Sequence, residues 1–116
     1  MRYIYIGYEI INGILTTYKL GETGNTSRRQ RQIKSHDKAD NFTFIGVLSA
    51  GQDRTDSMFY EAVLRKTIKA AGFEIYGNDY FKADNEETIT RLFELAHKKS
   101  RQYEQDLIQA VNNITA

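Results

Sequence analysis

Aromatic and β-branched residues crowd the start of the chain. Tyr3 to Ile11 (YIYIGYEII) and Ile14 to Leu20 (ILTTYKL) read as strands. Asn12-Gly13 stands between them. A type I′ turn needs positive φ at both central positions, so this pair predicts an antiparallel hairpin. A polar corner, Gly21 to Asn25, follows. Asn25 or Thr26 can cap a short helix from about Ser27 to Lys34. Ser35 to Asn41 reads as a polar loop and Phe42 to Leu48 as a third strand. After the Ala50–Asp53 turn, Asp53 or Thr55 can cap a helix from about Asp56 to Ala71, with Gly72 as its stop. Phe73 to Tyr76 looks extended. Gly77-Asn78-Asp79 reads as a turn before a short Tyr80-Phe81 segment. The last helix starts after Asp84 and runs to about Asn113.

The order of elements predicts an α+β domain: a small antiparallel three-stranded sheet flanked by helices, with a long C-terminal helix. Residues 1–95 form the body, and 96–116 a helical extension of the same domain. The last helix carries Ile89, Phe93, Ala96, Tyr103, Leu107, Ala110 and Ile114 on one side, a heptad-like seam interrupted by Ser100. At 1.5 Å per residue it would be roughly 40 Å long, more than a small domain needs to cover its own core. The seam either folds back on its own sheet or pairs with a second copy. The small residues Ala96, Ser100 and Ala110 tilt the expectation toward a homodimer.

Composition narrows the chemistry. The 116 residues contain no cysteine and two histidines. Disulfides, zinc–thiolate sites, cysteine nucleophiles and three-histidine metal sites are therefore excluded. No apolar run approaches the roughly 20 residues of a membrane helix. The N-terminus reads as a strand with no secretory pattern, so the expected location is the cytoplasm, without a membrane partner. Sixteen basic against 15 acidic residues give a net charge of +1, so any polyanion site must be local. Walker-type loops, Gly-x-Ser-x-Gly elbows and His-Glu-x-x-His are all absent.

Three features remain. Glu61 lies at the edge of a helical stripe containing Met58, Leu64 and Ile68. It either pairs with Arg65 at i+4 or offers a hard carboxylate to a cation such as Mg²⁺. Arg28, Arg29, Arg31 and Lys34 crowd the short helix, with positive charge at the helix start, where the dipole favours an anion. Arg29 shares a face with Ile33, so it turns toward the body, while Arg28 and Arg31 turn outward. It is either one charge of a solvated basic helix or a fork aimed at phosphate oxygens. Tyr3, Tyr5, Tyr8 and Tyr18 are either sheet-packing aromatics or, beside cations, groups that position a water. His36 and His97 read as surface residues.

The succession Tyr3-Ile4-Tyr5, Tyr18-Lys19-Leu20-Gly21-Glu22-Thr23-Gly24-Asn25, Arg28-Arg29-x-Arg31-Gln32 and Glu61 resembles the GIY-YIG nuclease superfamily over about residues 3 to 95. The Lys-Leu-Gly form and Gly77-Asn78-Asp79-Tyr80-Phe81 are similar to its phage-type branch, where Lys-Ile-Gly and Gly-x-Glu-Trp-Phe are typical. The resemblance implies metal-dependent hydrolysis of DNA phosphodiesters with one divalent cation, Mg²⁺ or Mn²⁺. It implies that Tyr5 activates or positions the water, that Lys19 stands at the second tyrosine position, that Arg29 stabilises phosphate charge and that Glu61 holds the metal. No second acidic residue has comparable placement along the sequence, so Glu61 is expected to be the only essential carboxylate. Arg28, Arg31 and Lys34 would then contact nucleic acid. Asn78 falls near the family's late asparagine. A phage or mobile-element origin would place the enzyme in the host cytoplasm.

Three positions depart from the family pattern. Tyr3 replaces the first glycine, Lys19 replaces the second tyrosine, and Ile33 stands where many members have histidine or tyrosine. His36, one turn on, replaces it only in part. These departures support an alternative: a catalytically weak or inactive module that binds nucleic acid or protein. Hairpin parity adds a conflict. A strict two-residue turn would place Tyr5 on a face with Tyr18, whereas a bulge would place it with Lys19.

Overall fold

The computed structural model describes residues 1–37, 41–77 and 79–115. Asn12 and Gly13 have φ of 53° and 75°, the double positive φ that joins β1 (Tyr3–Ile11) to β2 (Ile14–Thr23). β2 runs three residues beyond the expected end at Leu20. The corner residues Gly21, Glu22 and Thr23 still pair with Tyr5, Ile4 and Tyr3.

The hairpin is not strictly regular. Glu9 pairs with Thr17 but Ile10 pairs with Leu15, so Thr16 is an extra residue in β2. This bulge resolves the parity conflict. It sets Gly7 opposite Lys19 and Tyr5 opposite Gly21, so Tyr5 and Lys19 share one face. Tyr18 goes to the other face.

Among the described residues the sheet has four strands, not three. β3 (Asn41–Ser49) flanks β1, and β4 (Tyr80–Phe81) flanks β2, giving the antiparallel order β3-β1-β2-β4. β4 is only two residues long and pairs with Tyr18 and Lys19. Beyond Leu20, whose N–H donates to the Asp79 carbonyl, that edge of β2 is left open among the described residues.

Two helices cover one face. α2 (Arg54–Ala70) is capped by Asp53, whose carboxylate accepts from the Asp56 N–H, and ends before Gly72 at φ 96°. It buries Ser57, Tyr60, Leu64 and Ile68. Met58, expected on that stripe, is 54% exposed. α3 (Glu86–Thr115) buries Ile89, Phe93, Ala96 and Ser100. With Ile4, Ile6, Tyr18, Leu20 and Phe81 these residues make the main core. Ser100 does not break the seam, because its hydroxyl donates to the Ala96 carbonyl at 2.9 Å and needs no other partner.

The opposite face is covered by α1 (Thr26–Asp37), capped by Asn25, whose side chain accepts from the Arg28 N–H. It continues one turn into the expected loop; 38–40 lie outside the described residues. Ile33 packs there with Tyr5 and Phe42, and Phe44 seals the cluster.

Tyr103 still meets Phe59, and after Glu104 α3 leaves the body. Leu107, Ile108, Val111 and Ile114 are all exposed, Ile114 by 85%. The first half of the seam, Ile89, Phe93 and Ala96, packs on the body of its own chain, whereas the half from Leu107 to Ile114 does not fold back on it. No helix among the described residues is long and apolar enough to cross a membrane.

Candidate functional site

The open edge of β2 is where the two faces of the sheet meet. Tyr5 reaches it from the α1 side, Arg29 comes from α1, and Glu61 and Arg54 come from α2. With Gly21, Glu22 and Asp79 they line a cavity of ≈ 190 Å³. Tyr5, Arg29 and Glu61, distant in sequence, thus share one wall.

Tyr5 is held tightly. It is 1% exposed and meets Phe42 and Phe44 edge-on, with ring centroids 6.2 and 5.4 Å away. Its ring crosses β2 directly over Gly21. A Cβ on Gly21 would lie 2.5 Å from the Tyr5 hydroxyl oxygen, so only glycine leaves room for that hydroxyl. Burial pushes the phenol far above its ordinary pKa. The positive charge of Arg29 opposes this only in part, and the carboxylates of Asp79, Glu61 and Glu22 add to it. Tyr5 is a neutral phenol at physiological pH.

Arg29 is half-buried, whereas Arg28, Arg31 and Lys34 are exposed. The Arg29 Nε is buried and has no hydrogen-bond partner among the described residues. An unmet buried donor of this kind costs about 1–3 kcal/mol, more when charged.

Glu61 makes the i+4 pair with Arg65, its Oε1 lying 2.6 Å from Nη2. The same nitrogen lies 3.1 Å from Asp79 Oδ1, and Asp79 Oδ2 is 3.7 Å from Lys19 Nζ. Lys19, itself buried, donates to the Tyr80 hydroxyl at 2.9 Å. Glu61, Arg65, Asp79 and Lys19 therefore form one chain of alternating charge.

Glu22 is anchored differently. Its Oε2 accepts from Ser57 Oγ at 2.8 Å and from Arg2 Nη2 at 2.7 Å. Burial pushes its pKa up, but the hydrogen bonds from Ser57 and Arg2, with the charges of Arg2 and Arg54, outweigh this and hold it below the ordinary carboxylate range. Glu61 is thus not alone in its placement. Glu22 and Asp79 share the cavity, and sequence reasoning missed both. Glu22 was legible only as part of a turn. The position of Asp79 follows from Tyr80 pairing with Lys19, which needed the fourth strand.

A second hollow of ≈ 140 Å³ continues from Arg29 along α1, lined by Lys19, Arg29, Gln32, Ile33 and His36. Arg28, Arg31, Gln32, Ser35 and His36 border a shallow groove beyond it. Tyr18 lines none of these hollows. Tyr18 is buried in the main core, stacked on Phe81 at 5.5 Å. Asn78 lies outside the described residues. His97, on α3, meets the Ser49 carbonyl at 2.9 Å, on the helix-packed side of the sheet.

Among the described residues no three His, Asp or Glu side chains gather as a ready metal cage. Comparison with family models, with curated proteins and with solved structures gives no match for this chain.

Proposed function

We propose that this chain is a GIY-YIG-type nuclease that hydrolyses DNA phosphodiesters by water attack, with one divalent cation, Mg²⁺ or Mn²⁺, held on Glu61. The observation that carries the reading is the convergence of Tyr5, Arg29 and Glu61 on one cavity, with the buried Arg29 Nε lacking an acceptor among the described residues. A phosphate oxygen is the acceptor that a guanidinium suits best.

The donors fit a hard cation. Mg²⁺ takes one or two carboxylates and keeps several waters, and the cavity offers Glu61 with Asp79 and Glu22 on its walls. When bound, the cation would supply Lewis-acid stabilisation of the leaving oxygen. Arg29 binds a non-bridging phosphate oxygen and offsets the charge that grows there. Tyr5 holds its proton, so its hydroxyl orients the attacking water by hydrogen bonding and does not serve as a resting phenolate base. Arg28, Arg31, Lys34 and His36 guide the backbone along α1. Lys19, engaged by Tyr80 and Asp79, adds positive charge beside Arg29.

The projecting end of α3 supports pairing with a second copy, which would set two sites at a fixed distance. With a net charge of +1, a monomer has little nonspecific attraction for DNA, and two basic helices per particle would strengthen it. This reading puts the protein in the cytoplasm, the host's if phage-encoded.

One observation favours the alternative, a non-catalytic binding module. Ile33 fills the place beside Tyr5 where a polar side chain would assist catalysis. A supercoiled-plasmid assay with Mg²⁺ or Mn²⁺ separates the two. Metal-dependent nicking that Glu61→Ala removes supports the nuclease, and DNA binding without any nicking supports the module.

A further inference from the structure

Arg65 does not line the cavity but pairs with two carboxylates that do. One guanidinium nitrogen, Nη2, serves two carboxylates, at 2.6 Å from Glu61 Oε1 and 3.1 Å from Asp79 Oδ1. The same side chain also borders a separate hollow of ≈ 460 Å³, lined further by Lys69, Ile75 and Gly77. Arg65 thus stands between Glu61 and Asp79 on one side and this hollow on the other.

Resting on the nuclease reading, we infer that Arg65 is the resident counter-ion of Glu61, which a divalent cation displaces onto Asp79, so that Arg65 sets the metal affinity of the free protein. Two cations cannot share the Glu61 carboxylate at contact distance without strong repulsion. The second carboxylate gives the displaced guanidinium a destination. Asp79 thus acts as a positioning residue that receives Arg65, with Lys19 on its other oxygen.

The charge count adds a consequence. Glu61 and Asp79 balance Arg65 and Lys19, so a divalent cation leaves this cluster with two unbalanced positive charges. A phosphodiester arriving beside Arg29 offsets part of the positive charge that Arg29 and this cluster then hold together. Metal and DNA phosphate then bind with positive linkage, each tightening the other by the same factor. The free protein holds its metal weakly and fills the site fully only on DNA.

The test is a Mn²⁺ titration of the intact chain without DNA, read by loss of the electron-paramagnetic-resonance signal of free Mn²⁺. Circular dichroism and thermal melting establish that each variant is folded. Arg65→Met should bind Mn²⁺ roughly fivefold or more tightly than the unaltered chain, at the low end of ordinary coupling between sites. Glu61→Gln should abolish that gain in the double variant. Arg54→Met is the control for bulk charge, because it removes a cation from the same cavity without touching Glu61; it should give a much smaller gain. Arg65→Gln serves if the methionine variant does not fold. Equal gains from Arg65→Met and Arg54→Met, or no gain from Arg65→Met while Glu61→Gln still weakens binding, would overturn the role of Arg65 alone. If Glu61→Gln leaves Mn²⁺ binding by the unaltered chain unchanged, the metal assignment itself fails.

Discussion

Replacing Gly21 with alanine adds one methyl group where the Tyr5 ring crosses β2. The new Cβ would lie 2.5 Å from the Tyr5 hydroxyl oxygen, 2.7 Å from Cζ and 2.9 Å from Cε2. Tyr5 cannot retreat freely, because Ile33, Phe42 and Phe44 enclose its ring. Forcing a methyl group into a packed site typically costs about 1–3 kcal/mol. Glycine to alanine also restricts the unfolded chain, which returns about 0.4–1 kcal/mol. The net expectation is a loss of about 1–2 kcal/mol in urea unfolding, with the m-value unchanged. In a Tyr5→Leu background the ring is gone and the same Gly21→Ala change should be neutral or stabilising. Its cost, measured as a double-mutant cycle, is then the coupling between the two positions. A neutral Gly21→Ala in the unaltered chain would refute the reasoning. So would an equal cost in both backgrounds, which would place the strain in the backbone and not against Tyr5.

Other outcomes follow from the same geometry. Arg29→Ala should depress turnover far more than DNA affinity, whereas Arg28→Ala and Arg31→Ala should weaken binding and flatten its salt dependence; filter binding at several salt concentrations beside single-turnover cleavage checks this. Glu22 has a folded-state pKa below its unfolded value of about 4.3, so it contributes stability above that value that is lost as pH falls through the lower folded one. Glu22→Gln should therefore be less stable than the unaltered chain near neutrality and should lose less stability on acidification below about pH 4, as followed by urea melts across pH. Light scattering at micromolar concentration should report a dimer for the full chain and a monomer for Leu107→Glu/Val111→Glu. A version ending at Glu104 should also be monomeric and keep its fold, because it retains the Phe59–Tyr103 ring contact at 4.8 Å. A monomeric full chain would remove the dimer and leave the nuclease reading intact.

Local chemistry made much of the fold legible. Asn12-Gly13 specified the turn, and Asn25 and Asp53 specified helix starts, because each acts through its own backbone neighbours. The bulge at Thr16 had no such signal. It is a property of the pairing between two strands, and it alone decided whether Tyr5 met Tyr18 or Lys19. β4 was seen only as a short segment, since two residues carry no periodicity and Tyr80-Phe81 becomes a strand only by pairing with β2. The apolar stripe of α2 was shifted by one position. Ser57 is buried because its hydroxyl finds Glu22, and Met58 is left outside. In the site, Tyr5, Arg29 and Glu61 stood out as residue types in an order. Asp79 entered through β4, and the sharing of Arg65 between Glu61 and Asp79 came with it.

The central claim is that the cavity at the open edge of β2 hydrolyses DNA. Its most direct test is single-turnover nicking of supercoiled plasmid by the full chain, with Mg²⁺ or Mn²⁺ and with chelator, beside Glu61→Gln at matched concentration and matched thermal stability. The account predicts conversion to open-circular DNA that depends on the metal and is lost in Glu61→Gln while that variant remains folded. Nicking that survives Glu61→Gln, or a folded chain that binds DNA and never cuts it with either metal, would contradict it.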